Sequence, residues 1–145
     1  MLNSKGFSSV IHDLENYNED FIAVFDKIIK FFVNIFKIAE ELQEEIVDYE
    51  DLFQIIVSDL NFNFWLSISN GSIIYKKGIN RNASLRIIFT KDILVKILKR
   101  EISGTDAFMK GLIKADGDLS QGLRFIKLFR LFFKYLNNGY IKQKI

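Results

Sequence analysis

A chain of 145 residues with 15 Phe is long enough to bury a sizeable core, yet with no Cys and one His it lacks the usual ligands of a zinc or iron–sulfur centre. Its net charge of +2 conceals a polarity, because residues 1–60 hold 4 Lys/Arg against 13 Asp/Glu and residues 61–145 hold 16 against 5. Either the two halves pair in the fold, or the basic half faces an anionic surface such as phospholipid or nucleic acid.

Residues 1–18 read as a polar, loose lead-in to one domain covering 1–145. They contain no apolar run of the secretory kind, and a cytoplasmic location is the expectation. His12 has no nucleophile elbow near it and is expected on the surface. From Glu19 to Glu45 the periodicity predicts one long helix without Gly or Pro. Its polar stripe is narrow (Asp26, Lys30, Asn34, Lys37, Glu41), so the helix needs cover on more than one side. It packs on a sheet, joins a second copy, or both. Phe31–Ile38 is its greasiest stretch, too short to span a bilayer.

Sheet and helices are expected over 46–136, where the period changes to two. Leu52–Ser58 is a short apolar run. Phe62, Phe64, Leu66 and Ile68 then alternate with Asn63, Trp65, Ser67 and Ser69 in a half-buried strand. Asn70-Gly71 matches a two-residue type I′ hairpin turn, and Ser72–Lys77 is the return strand. After a turn containing Gly78, Ala83, Leu85, Ile87 and Phe89 mark a fourth antiparallel-type strand. Thr90 is a helix N-cap candidate before Ile93, Leu94, Ile97 and Leu98. Thr105 is a candidate cap for a short turn holding Ala107, Phe108 and Met109, which Gly111 ends in a left-handed conformation. Leu112–Ala115 reads as an edge strand. Asp118 caps a last helix from Leu119 to about Leu136. The order defines an α+β fold with helices on one face of a sheet.

Little in this chain suggests catalysis. Asp116 and Asp118 flank Gly117 and read as turn and cap rather than an acid/base pair. No Gly-rich phosphate loop occurs, so no cofactor is expected. Trp65 and Tyr75 lie on strands where bases could stack, but no basic–aromatic motif accompanies them, and no nucleic-acid partner is expected. The last helix presents Arg124, Lys127, Arg130 and Lys134 on one side and Leu and Phe on the other. The apolar side can close a cavity while the basic side touches an anionic membrane.

The chain resembles the sterol carrier protein type 2 family over roughly Leu52 to Leu136. The resemblance rests on Trp65-Leu66-Ser67-Ile68-Ser69-Asn70-Gly71, loosely on Lys91-Asp92-Ile93-Leu94, and most specifically on Ala107-Phe108-Met109-Lys110-Gly111 followed by Ile113-Lys114 and Gly117-Asp118. It departs at Leu112, where the family is usually basic, and around Arg100, where a glycine is often found. It implies a five-stranded, mainly antiparallel sheet covered by helices, with a hydrophobic tunnel between them. It also implies non-catalytic binding of fatty acid, fatty acyl-CoA, sterol or phospholipid. On this expectation Phe108, Met109, Ile113, Leu123, Ile126, Phe129 and Phe132 line the ligand site, with Phe64 and Phe89 from the sheet. A second expectation stays open: the same fold serves as a scaffold, dimerising or docking a partner through the 19–45 helix.

Overall fold

The computed structural model describes residues 21–139 and Ser9. The expectations for His12 and the remainder of the lead-in lie outside the described residues.

Helix α1 spans Phe21–Ile38 and α2 spans Glu40–Glu45. The continuous helix expected from Glu19 to Glu45 is therefore broken, at Ala39, whose backbone is extended (φ −102°, ψ 99°). No Gly or Pro marks the break. The Gln43 side-chain amide holds it by donating to the Phe36 and Lys37 carbonyls (3.0 and 2.7 Å), which have lost helical partners. The bend seats α2 on the tip of a β-hairpin, where a Cβ on Gly71 would lie 3.1 Å from the Gln43 carbonyl oxygen.

Five strands follow: β1 (Asp51–Val57), β2 (Phe62–Ser69), β3 (Ser72–Lys77), β4 (Leu85–Phe89) and, later, β5 (Lys114–Gly117). The period-two pattern of β2 emerges as strict alternation of buried and half-buried residues. Asn70 and Gly71 both have positive φ (53° and 75°), as a type I′ turn requires. The sheet order is β3-β2-β1-β4-β5, antiparallel throughout except for the parallel pair β1–β4. The chain after β3 thus crosses two strands, roughly 14 Å at three strand spacings. Gln54, 1% exposed, fixes that crossing. Its amide donates to the Phe64 and Gly78 carbonyls (2.9 and 3.0 Å), and its oxygen accepts from the Asn80 N–H (2.7 Å).

Helices α3 (Lys91–Leu98), α4 (Gly104–Met109) and α5 (Leu119–Lys134) complete the layer, and a π-type turn runs on over Tyr135–Gly139. Thr90 caps α3 and Asp118 caps α5 as the residue types predict. The cap of α4 is Ser103, not Thr105: Ser103 Oγ accepts from the Asp106 N–H at 3.0 Å. Ser103 stands three residues before that amide, the reach an N-cap hydroxyl needs. Strand β5 sits two residues later than expected, because Gly111 (φ 74°) turns the chain before it can pair.

The Phe residues stitch these layers together. Phe25 of α1 meets Phe62 and Phe64, while Phe32 meets Phe129 and Phe132 of α5 at 5.2 and 5.0 Å. Phe53 of β1 meets Phe125 at 5.1 Å. The wide apolar face of α1 is therefore covered from within: Phe21, Phe25, Ile28, Ile29, Phe32 and Phe36 are all buried. Ile22 and Ile38 are the large apolar side chains of this helix that stay exposed.

Charge binds the halves as well. Asp51 of β1 holds Arg124 by two bonds of 2.8 and 2.9 Å, and Glu45 pairs with Lys127 at 3.3 Å. Asp26 of α1, 8% exposed, accepts from the Tyr75 hydroxyl at 2.7 Å and pairs with Lys30 and Lys77. Burial alone would raise the Asp26 pKa, but the bonds from Tyr75 and Lys30 and the Lys77 charge outweigh it and hold the carboxyl below its ordinary value. Burial and the same carboxylate push the Tyr75 hydroxyl up. A lowered carboxylate stabilises the fold above its unfolded pKa of about 4, and that contribution is lost as pH falls through the lowered value. Asp26→Asn should therefore cost about 1–3 kcal/mol at pH 7. The gap between variant and parent should narrow below pH 4, as urea unfolding at pH 7 and pH 3 will show.

Candidate functional site

Between the inner face of the sheet and the helices lies a cavity of about 610 Å³. The sheet contributes Ile55, Phe64, Leu66, Leu85, Ile87 and Phe89, the residues whose alternation points them toward the helices. Helix α1 adds Phe25, Ile28, Ile29 and Phe32, and α3 adds Leu94, Ile97 and Leu98. Opposite them, α5 runs the length of the cavity with Leu119, Leu123, Ile126, Phe129 and Phe133 on its wall.

Small residues keep the space open. Gly122 of α5 faces the sheet, and a Cβ there would meet Leu85 only at 3.8 Å. Gly104 lets the start of α4 lie against Ile126, at 3.5 Å from where a Cβ would stand. Several large apolar side chains of this region stay in solvent: Phe108 is 40% exposed, Leu119 57% and Leu123 70%. All three line the cavity, so its rim at α4 and the start of α5 is apolar and wet.

Of the residues expected at the site, Phe64, Phe89, Phe108, Ile113, Leu123, Ile126, Phe129 and Phe132 lie on the cavity wall. Met109 does not: it is 76% exposed. Ala107 is the one buried residue of α4, and two residues along a helix is about 200° of rotation, which turns Met109 to the far side. The walls from α1 and α3 carry no expected site residue. Their signal was the breadth of the α1 apolar face, which exceeds what one sheet contact needs.

The basic side of α5 also divides. Arg124 and Lys127 are engaged by Asp51 and Glu45, whereas Arg130 and Lys134 line the cavity together with Arg100. Among the described residues the wall contains no Asp, Glu or His. Its uncharged polar groups are few (Ser103, Thr105 and Asn137), and the Ser103 hydroxyl is already committed to the α4 cap. No group of three or more His, Cys, Asp or Glu suited to a metal occurs among the described residues. No described helix is long and apolar enough to cross a membrane. The geometry suits retention of an apolar molecule.

An α+β domain with helices closing one face of a mixed five-stranded sheet over an apolar cavity defines the class of this protein. The chain belongs to the SCP-2 sterol transfer family, whose model matches residues 32–130. No curated protein matches it. Among solved structures it is similar to a sterol carrier protein 2, at TM-score 0.59 and 13% identity, covering 74% of this chain and 91% of that one. It is likewise similar to the UbiJ-SCP2 ubiquinone synthesis protein, at TM-score 0.59 and 15% identity, covering 76% and 96%. A third likeness is to the sec-alkylsulfatase Pisa1 from Pseudomonas sp., at TM-score 0.53 and 25% identity over 59% of this chain. This chain covers only 14% of the alkylsulfatase's length.

Proposed function

We propose that this chain binds and carries a hydrophobic ligand, such as a fatty acid, acyl-CoA, isoprenoid or phospholipid, in the cavity under α5, and performs no chemistry on it. The cavity itself carries this reading. Its 610 Å³ lies within the roughly 300–1,000 Å³ typical of small-molecule sites. Each methylene moved from water into such a space contributes about 0.8 kcal/mol, so ten contribute roughly 8 kcal/mol before the costs of binding. That gross figure corresponds to about micromolar affinity, enough for a carrier that must also release its ligand. Membership of the SCP-2 sterol transfer family supports the same reading.

The exposed rim of Phe108, Leu119 and Leu123 is where the ligand enters. Transient contact with a membrane there shortens the path of the chain through water. The test uses Gly122→Leu, which sends a branched side chain toward Leu85 and fills the cavity from within. A helix-interior glycine replaced by leucine does not weaken α5 on propensity grounds. Titration with a fluorescent long-chain fatty acid should give one site per chain in the parent and at least about ten-fold weaker binding in the variant, which should still melt cooperatively after losing about 1–3 kcal/mol to overpacking. Equal uptake by both proteins would place the ligand elsewhere.

A further inference from the structure

We propose that Arg100, Arg130 and Lys134 form a head-group site for an acidic amphiphile, seating its carboxylate or phosphate at the C-terminal end of α5 with its chain along the sheet. This rests on the cavity being a ligand site, as proposed above. Among the described residues, these three cations are the only charged ones on the cavity wall. They make no ion pair among the described residues, in contrast to Arg124 and Lys127 on the same helix. Arg130 and Lys134 stand one turn apart on α5, and Asn137 follows within a turn as a further wall residue.

Arg100 follows directly on the C-cap of α3. Its guanidinium lies 5.3 Å over the ring of Phe133, against the apolar wall. Its backbone has φ 64°, a conformation that a glycine adopts freely and an arginine rarely does. Over the roughly 22 Å from Leu119 to Lys134 the wall of α5 is apolar, and Arg130 and Lys134 fall in its last two turns among Phe129, Phe132 and Phe133. The carbonyl end of a helix repels an anion by itself, so the positive side chains there are what makes an acidic head group acceptable. Arg100, Arg130 and Lys134 are all exposed, so a neutral sterol or ester loses little there, but it also lacks the charge that an acid brings to them.

The experiment measures displacement of a fluorescent probe from the full chain by hexadecanoate, methyl hexadecanoate and hexadecyl phosphate, each below its aggregation limit. The expected result is that at least one acid binds about ten-fold or more tighter than the ester, a difference of roughly one charge-assisted hydrogen bond, and that salt erodes the difference. The triple variant Arg100→Asn, Arg130→Gln, Lys134→Gln should bring the acid to the level of the ester and leave the ester unchanged. Asparagine is chosen at position 100 because it tolerates the left-handed backbone. A control with the same charge change on the opposite sheet face, Lys76→Gln, Arg86→Gln, Lys114→Gln, should keep the preference.

Comparison of the two acids tells carboxylate from phosphate, and a preference for either supports the site. Equal binding of ester and acids, or a preference that survives in the triple variant, overturns it while leaving the cavity reading intact. Failure of every probe to bind sinks both. Sedimentation with phosphatidylserine vesicles closes the remaining route. If the triple variant loses vesicle binding while monomeric acids show no preference, these cations touch a membrane surface and the head-group site is wrong.

Discussion

Arg124→Ala is expected to destabilise the protein by about 1–3 kcal/mol, the cost of removing the two charged hydrogen bonds that the Asp51 carboxylate receives. The Asp51 side chain has no exposed surface, and both its oxygens receive bonds from the Arg124 guanidinium. Removing the guanidinium, itself 36% exposed, leaves the Asp51 carboxylate without its two donors between the start of β1 and the middle of α5. The consequence reaches the cavity, since this pair anchors the helix that forms its long wall. Two controls separate the effect from general loss of charge. Lys127→Ala breaks a pair whose partners are 41% and 52% exposed, and should cost no more than about 1 kcal/mol. Asp51→Ala added to Arg124→Ala removes the stranded charge and should recover part of the loss. Urea unfolding of the four proteins at pH 7 checks all of these values.

Gly117→Ala is the second large effect, at about 3 kcal/mol or more. Gly117 ends β5 with φ 123°, and a Cβ there would stand 2.2 Å from the backbone oxygen of Ser84, which cannot rotate away. That oxygen also accepts the Asp118 N–H at 3.0 Å, the bond that positions the start of α5. Backbone strain of this kind costs about 1–3 kcal/mol by itself, and displacement of β5 from β4 adds to it. Gly78→Ala isolates the first contribution, because Gly78 has φ 108° but nothing within 4 Å of its Cβ position. A thermal melt should therefore show a clearly larger fall for position 117 than for position 78. Equal falls would mean that strain alone acts at both.

The elements that could be read from sequence are those with a local cause. Asn70-Gly71 needs two left-handed residues and therefore announces its hairpin. The alternation around Trp65 states which face is buried. Thr90 and Asp118 cap their helices because their oxygens reach the free amides. What escaped depends on partners far along the chain. The break at Ala39 is held by Gln43 and by the hairpin tip beneath it, neither of which alters the helical period. The parallel pairing of β1 with β4 depends on the Gln54 clamp on a distant loop. Met109 stands in solvent, against expectation, because six residues of helix do not define a face and only the burial of Ala107 does so. The four cations of α5 look alike as a stripe, yet two meet acids and two meet a cavity. An apolar helix face also does not reveal whether side chains or empty space lie opposite. For that reason Ile28 and Leu94 gave no sign of lining a site.

The central claim is that a ligand chain lies inside the cavity rather than on the apolar surface. Isotope-filtered nuclear Overhauser measurements test it most directly, with hexadecanoate at natural abundance and the protein labelled at its Ile and Leu methyl groups. Contacts from the acyl chain to Ile28, Ile87, Leu94 and Ile126, which face one another across the cavity, are the predicted result. Contacts confined to the exposed methyls of Ile22, Ile38 and Ile74, with those four silent, would contradict the account.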